Sequence, residues 1–173
     1  FYPFLFASTA AKNSLTKIHS QGSFARFSSD DSKIVSKSCD FINLWNTNSG
    51  QLLKELKIRT TFNFCHFSPD NSKIVSGTCD NSISLWDATT LELYHTITKS
   101  PSTPSCVCFT PDGLKILCGH EHGEIILFEL PSGKIVRQFQ KKSRVVVKQN
   151  SLKHLTYDSI QNLCFSSDAS MFL

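Results

Sequence analysis

The sequence has no apolar run approaching the roughly eighteen residues that a membrane-crossing helix requires. It also lacks a phosphate-cradling P-loop, a GxSxG elbow, an HExxH zinc motif and a dinucleotide-binding glycine pattern, so the common routes to catalysis have no foothold in it. No segment sustains a helical period. Its seven cysteines form no CxxC pair and no dense framework, and an odd count in a chain of this size points to a reducing compartment, cytoplasmic or nuclear. They read as small buried residues standing where Ala, Val or Ser would also fit. The first residues, "FYPFLFASTAA", superficially resemble the core of a signal peptide. They lack an initiator Met and a basic leader, and the apolar run is too short.

What is present is ordinary globular composition, 40% hydrophobic and 18% charged over 173 residues, enough for one domain with a real core. The net charge of +4 is local. Lys141, Lys142, Arg144, Lys148 and Lys153 lie in a stretch without acids, and the rest of the chain carries 13 basic against 14 acidic side chains. The surface as a whole is therefore not a nucleic-acid-coating one.

The strongest signal is repetition. "SKIVS" occurs at 32–36 and again at 72–76. Upstream stand "FARFSSDD", "FCHFSPDN", "CVCFTPDG" and "NLCFSSDA", which align Phe27, Phe67, Phe109 and Phe165 at spacings of 40, 42 and 56. Three residues after each Phe comes Asp30, Asp70, Asp112 or Asp168. Downstream, "INLW", "ISLW" and "IILF" align Trp45, Trp86 and Phe128.

Each unit reads as β-structure. "SPDN" and "TPDG" suit type I turns between two strands. The Ile-Val or Ile-Leu pair that follows is apolar on both faces, the mark of a strand covered on both sides. In "ISLW", Ile83 and Leu85 share one face while Ser84 and Trp86 share the other. Four short strands in forty-odd residues indicate an all-β propeller blade.

On the residues "FSPDNSKIVSGTCDNSISLWD" at 67–87, the chain resembles the WD40-repeat family. The resemblance implies a partial β-propeller of four-stranded antiparallel blades. The units it implies are 1–18 (end of an earlier repeat), 19–57, 58–99, 100–140, a basic insertion at 141–159, and 160–173 (start of a further repeat). About four blades' worth of sequence is too little to close a ring, so the expectation is a fragment whose open ends would aggregate or form a loose ensemble when expressed alone.

The resemblance also implies a hydrogen-bonded chain within a blade: a His before the first strand, a Ser or Thr in the second, an Asp in the next turn, and the Trp. The first repeat offers His19, Ser36, Asp40 and Trp45; the second offers Ser76, Asp80 and Trp86 but no His. The third has Cys118, His122 and Phe128 at those places, so the network is expected to be missing there. The first repeat is one residue short in "CDFINLW", which pushes Phe41 toward a tight corner, either tucked under the rim or exposed as a contact.

"CGHEHGE" at 118–124 is the most chemical-looking stretch, with Cys118, His120 and His122 alternating in zinc-compatible types. The alignment places His120 to Gly123 in a turn, where alternation breaks down, and no second ligand cluster follows. No metal, cofactor or catalytic residue is therefore expected. Cys106 and Cys108 read as two buried thiols on an inner strand.

The resemblance implies that partners bind along the rim formed by the connections between units. Phe41, Arg59, Phe62 and Glu121, with Lys141, Lys142, Arg144 and Lys148 of the insertion, are the candidate partner contacts. The expected function is a non-catalytic protein–protein interaction scaffold, its partners proteins or peptides, acidic or phosphorylated ones suiting the insertion. An alternative is the regulatory propeller of a larger enzyme or NTPase switch protein. An RNA-associated scaffold is a third reading, disfavoured because Tyr157 is the only aromatic near the insertion.

Overall fold

The computed structural model describes residues 24–38, 41–58, 62–97, 100, 102–140 and 163, with the side chains of Ser38, Phe62 and Gln140 excepted. They form twelve strands in three antiparallel sheets of four, and no helix. The first sheet holds β1 (Phe24–Phe27), β2 (Lys33–Ser38), β3 (Phe41–Asn46) and β4 (Leu52–Lys57). The second holds β5 (Phe62–Phe67), β6 (Lys73–Thr78), β7 (Ile83–Asp87) and β8 (Leu93–Ile97). The third holds β9 (Pro104–Phe109), β10 (Lys115–His120), β11 (Glu124–Glu129) and β12 (Ile135–Gln140). In each sheet the strands lie side by side in chain order. The registers repeat as well: Phe27 opposes Ile34, Phe67 opposes Ile74, and Phe109 opposes Ile116. These are consistent with the blades of a partial β-propeller.

The turn chemistry is what sets these registers. Ser28, Ser68 and Thr110 each accept, at their carbonyls, the N–H three residues on, from Asp31, Asn71 and Gly113. Those three residues take the left-handed conformation, with φ of 57°, 58° and 71°, which Asp, Asn and Gly tolerate best. The aspartates at 30, 70 and 112 fix the same turns. Asp70 Oδ1 accepts from Ser68 Oγ at 2.5 Å and from the Ser72 N–H at 3.1 Å. Asp30 does the same with Ser28 and Ser32.

Packing joins the sheets through the covered second strands. Val35, Ile42 and Leu44 of the first sheet meet Cys65, Phe67 and Ile74 of the second, with Trp86 at their edge. The opposite face of the second sheet, with Val75, Ile83 and Leu85, meets Val107, Ile116, Ile126 and Phe128 of the third. On the far face of the third sheet, Leu117 and Cys106 pack with Leu163. The apolar pairs Ile34-Val35, Ile74-Val75 and Ile116-Leu117 are all buried; Ile74 and Val75 pack into different clusters, as do Ile116 and Leu117. Each such side chain contributes about 1.5–3 kcal/mol of burial. The fourth strands β4, β8 and β12 are exposed over most of their length.

Antiparallel order gives the stack two rims. One carries the β1–β2, β5–β6 and β9–β10 turns and the turns before β4, β8 and β12. It holds Pro69, Pro111 and Pro131 and is called here the proline rim. The opposite rim carries the β6–β7 and β10–β11 turns.

Candidate functional site

Two tryptophans brace their own sheets. Trp45 Nε1 donates to Ser36 Oγ at 2.9 Å, and Trp86 Nε1 donates to Ser76 Oγ at 2.8 Å. Both serines are buried, so each indole N–H meets the hydroxyl that would otherwise lack water. Asp80 does not join the second pair. It accepts from the Thr78 hydroxyl and from the Ser82 N–H, holding the turn after β6. Its carboxyl lies below the usual range, chiefly through the Thr78 bond. His19 and Asp40 lie outside the described residues.

The third sheet solves the same position differently. Cys118 and Phe128 are both buried in the apolar seam against the second sheet. Neither brings a strong donor or acceptor there, so the polar pair drops out as a unit. Burial pushes the Cys118 thiol well up.

His120 does not lie in a rim turn, contrary to the alignment. Pairing with Pro104, past an irregularity at Gly119, carries β10 one residue further, and the turn is closed tightly by Gly123 at φ 77°. His120 is fully buried and its Nε2 bonds the Ser100 hydroxyl. The Ser100 N–H in turn donates to the Asn81 carbonyl at 2.8 Å. Burial lowers the His120 pKa. Ser100, ahead of β9, thus ties the third sheet to a turn of the second, and Asn63 Nδ2 reinforces the tie by donating to the Pro104 carbonyl at 2.9 Å. The sequence carried no pattern for this link, because its partners lie in different repeats.

Glu121 and His122 are exposed in that turn. Phe41 is the first residue of β3, directly after residues 39–40, half-buried and opposite Ser38 and Lys57, with the Lys57 ammonium 5.9 Å from its ring centre. Cys106 is buried, but Cys108 only partly so, which corrects the reading of two buried thiols. Phe62 begins β5; its side chain, and Arg59, Lys141, Lys142, Arg144 and Lys148, lie outside the described residues.

The first strands hold a polar cluster that sequence reasoning missed. Arg26 Nε donates to His66 Nε2 at 3.3 Å, and the guanidinium lies 4.4 Å from the Phe24 ring centre. Burial first, then the Arg26 charge, lowers the His66 pKa to about 4, so the ring is a neutral acceptor at physiological pH. The signal was available: Arg26 and His66 both stand one residue before the anchor Phe.

Residues 50–87 match the family model described as WD domain, G-beta repeat. The matched span runs from β4 through β7, the last strand of one sheet and the first three of the next. The chain carries a WD40 repeat there, and its three sheets have the form of WD40-like blades. WD40 domains mediate protein–protein interactions and are typically non-catalytic scaffolds. No curated protein matches the chain.

Proposed function

We propose that this chain is a non-catalytic protein–protein interaction scaffold whose strands form a frame and whose rim segments supply the contacts. The observation that supports this most is the contrast within the repeats. The second and third strands of each sheet spend their side chains on packing, with Trp–Ser bracing in two of the sheets, while the rim turns leave side chains exposed. Glu121 is one such exposed rim residue.

The partner we infer for the basic stretch is an acidic or phosphorylated peptide. Lys141, Lys142, Arg144 and Lys148 supply positive charge without an intervening acid, and Arg59 and Phe62 are further candidate contacts. Charge-assisted bonds to phosphate or carboxylate oxygens are the strong class of hydrogen bond.

The test is a titration of the full chain with a phosphorylated peptide, its unphosphorylated twin and a single-stranded RNA. The reading expects the phosphopeptide to bind best, and Lys141→Ala, Lys142→Ala and Arg144→Ala together to weaken it without changing the melting temperature. Preference for RNA, or indifference to the triple substitution, would overturn the assignment of this partner.

A further inference from the structure

On the proline rim, a groove of about 530 Å³ lies between the second and third sheets. Asp70 and Lys73 of the second sheet and Asp112 and Leu114 of the third line it, with Tyr94 and Pro131 on its walls. Tyr94 and Leu114 are 58% and 59% exposed.

The corresponding seam between the first and second sheets is strapped. There Lys33 reaches across and its ammonium approaches the Ala88 carbonyl at 3.4 Å. Ala88 is itself fully buried. Lys73 occupies the same repeat position but stays on its own sheet, 3.3 Å from Ser72 Oγ and 5.3 Å from the Tyr94 ring centre. The polar brace is also missing from this seam, since Phe128 and Cys118 stand where Trp86 and Ser76 stand in the other. The two seams come from the same repeat, yet only the second is left open.

Its chemistry narrows what fits. Asp70 and Asp112 are held ionised by the hydroxyls of Ser68 and Thr110, Asp70 down to about 2. Asp112 Oδ1 accepts from the Leu114 N–H at 2.9 Å, and Oδ2 accepts no hydrogen bond among the described residues. The groove's own lining carries two carboxylates against one ammonium, with Lys115 acting on Asp112 from outside it. Prolines, Leu114 and Tyr94 meanwhile offer apolar walls for an alkyl stem.

We propose that this groove is a docking site for an arginine side chain carried on an extended peptide of a partner protein. The guanidinium would lie between Asp70 and Asp112, where its planar fork can meet carboxylate oxygens, and its stem would run along Leu114 and Pro131. The proposal rests on the scaffold reading but uses none of the residues of the basic stretch, so the two can fail separately.

The experiment is fluorescence anisotropy of the full chain with a short labelled peptide bearing one central arginine flanked by alanine and proline. Twins with glutamate or norleucine in its place serve as controls. The arginine peptide should bind about tenfold or more tighter than either twin, the scale of one charge-assisted bond. Added salt should weaken it. Leu114→Lys, at an exposed position, should reduce binding by a similar factor with an unchanged melting temperature. Asp112→Asn, which keeps an acceptor for Thr110, should do the same. Equal binding of the three peptides, no binding of any, or arginine binding insensitive to both substitutions would overturn the proposal. Phosphopeptide binding measured on the same sample would report whether the scaffold reading stands regardless.

Discussion

At the scale of single residues, the informative comparison is between Trp86–Ser76 and Phe128–Cys118. The first pair is a hydrogen bond of 2.8 Å to a buried hydroxyl; the second contributes only apolar contact. Ser76→Ala should leave the indole N–H without an acceptor and cost about 1–2 kcal/mol, the lower part of the range for an unsatisfied group because Trp86 is only partly buried. Trp86→Phe should then cost less in the Ser76→Ala background than alone, by about 1 kcal/mol, in a double-mutant cycle read by denaturant unfolding. Additive costs would mean that the bond contributes nothing beyond packing. Gly77 is a second pressure point. A Cβ there would lie 2.1 Å from Phe64 Cζ and 2.3 Å from Cε1, so the ring, itself buried, would have to leave its place. Gly77→Ala should destabilise by about 1–3 kcal/mol, as overpacking does, and less once Phe64 is replaced by Leu. The Trp–Ser pairing was visible in the sequence as a repeated spacing. The fit of Phe64 over Gly77 was not, because it depends on which rotamer an inner-strand aromatic adopts.

At the scale of elements, the inner two strands of each sheet and the turns joining them govern the response to acid. His66 on β5 has its pKa lowered to about 4 from an ordinary 6.5, and His120 on β10 is shifted the same way. A folded pKa below the unfolded one means that the unfolded chain takes up the proton first. Stability is therefore full above about pH 6.5 and falls as pH drops toward 4. Asp30 and Asp70, lowered to about 2 from 3.8, add a second loss as pH falls from about 4 toward 2. Unfolding free energy measured across this range should show both windows, and His66→Gln should flatten the upper one. An unchanged upper window in that variant would mean that His66 is not its source. The aspartates stood in plain view three residues after each anchor Phe, and Ser or Thr one residue after it supplies the donor that shifts them. By contrast, the place of His120 was obscured. Alternation cannot show where a strand stops, and only the pairing with Pro104 extends β10 to include it.

At the scale of the whole chain, the sheets behave as copies and the seams do not. Period-two alternation and the forty-residue spacing made the four-stranded units and their doubly covered second strands legible, since both follow from which side chains must avoid water. What the sequence could not convey is how one unit meets the next. Lys33 and Lys73 share a repeat position, yet one crosses a seam and the other turns back onto Tyr94. Lys73→Met should therefore leave stability nearly unchanged, within about 0.5 kcal/mol as for other surface substitutions, and Lys33→Met should cost more. Equal effects in thermal melts would argue that neither lysine straps its seam.

The central claim is that the shared strands supply a frame and the rim turns supply recognition. Hydrogen exchange of the full chain with and without the arginine peptide tests it most directly. The account predicts slowed exchange confined to 68–73, 93–95, 111–115 and 129–132, with β6 and β10 beyond their first residues unaltered. Slowing spread through those buried strands, or confined to segments away from the groove, would contradict it.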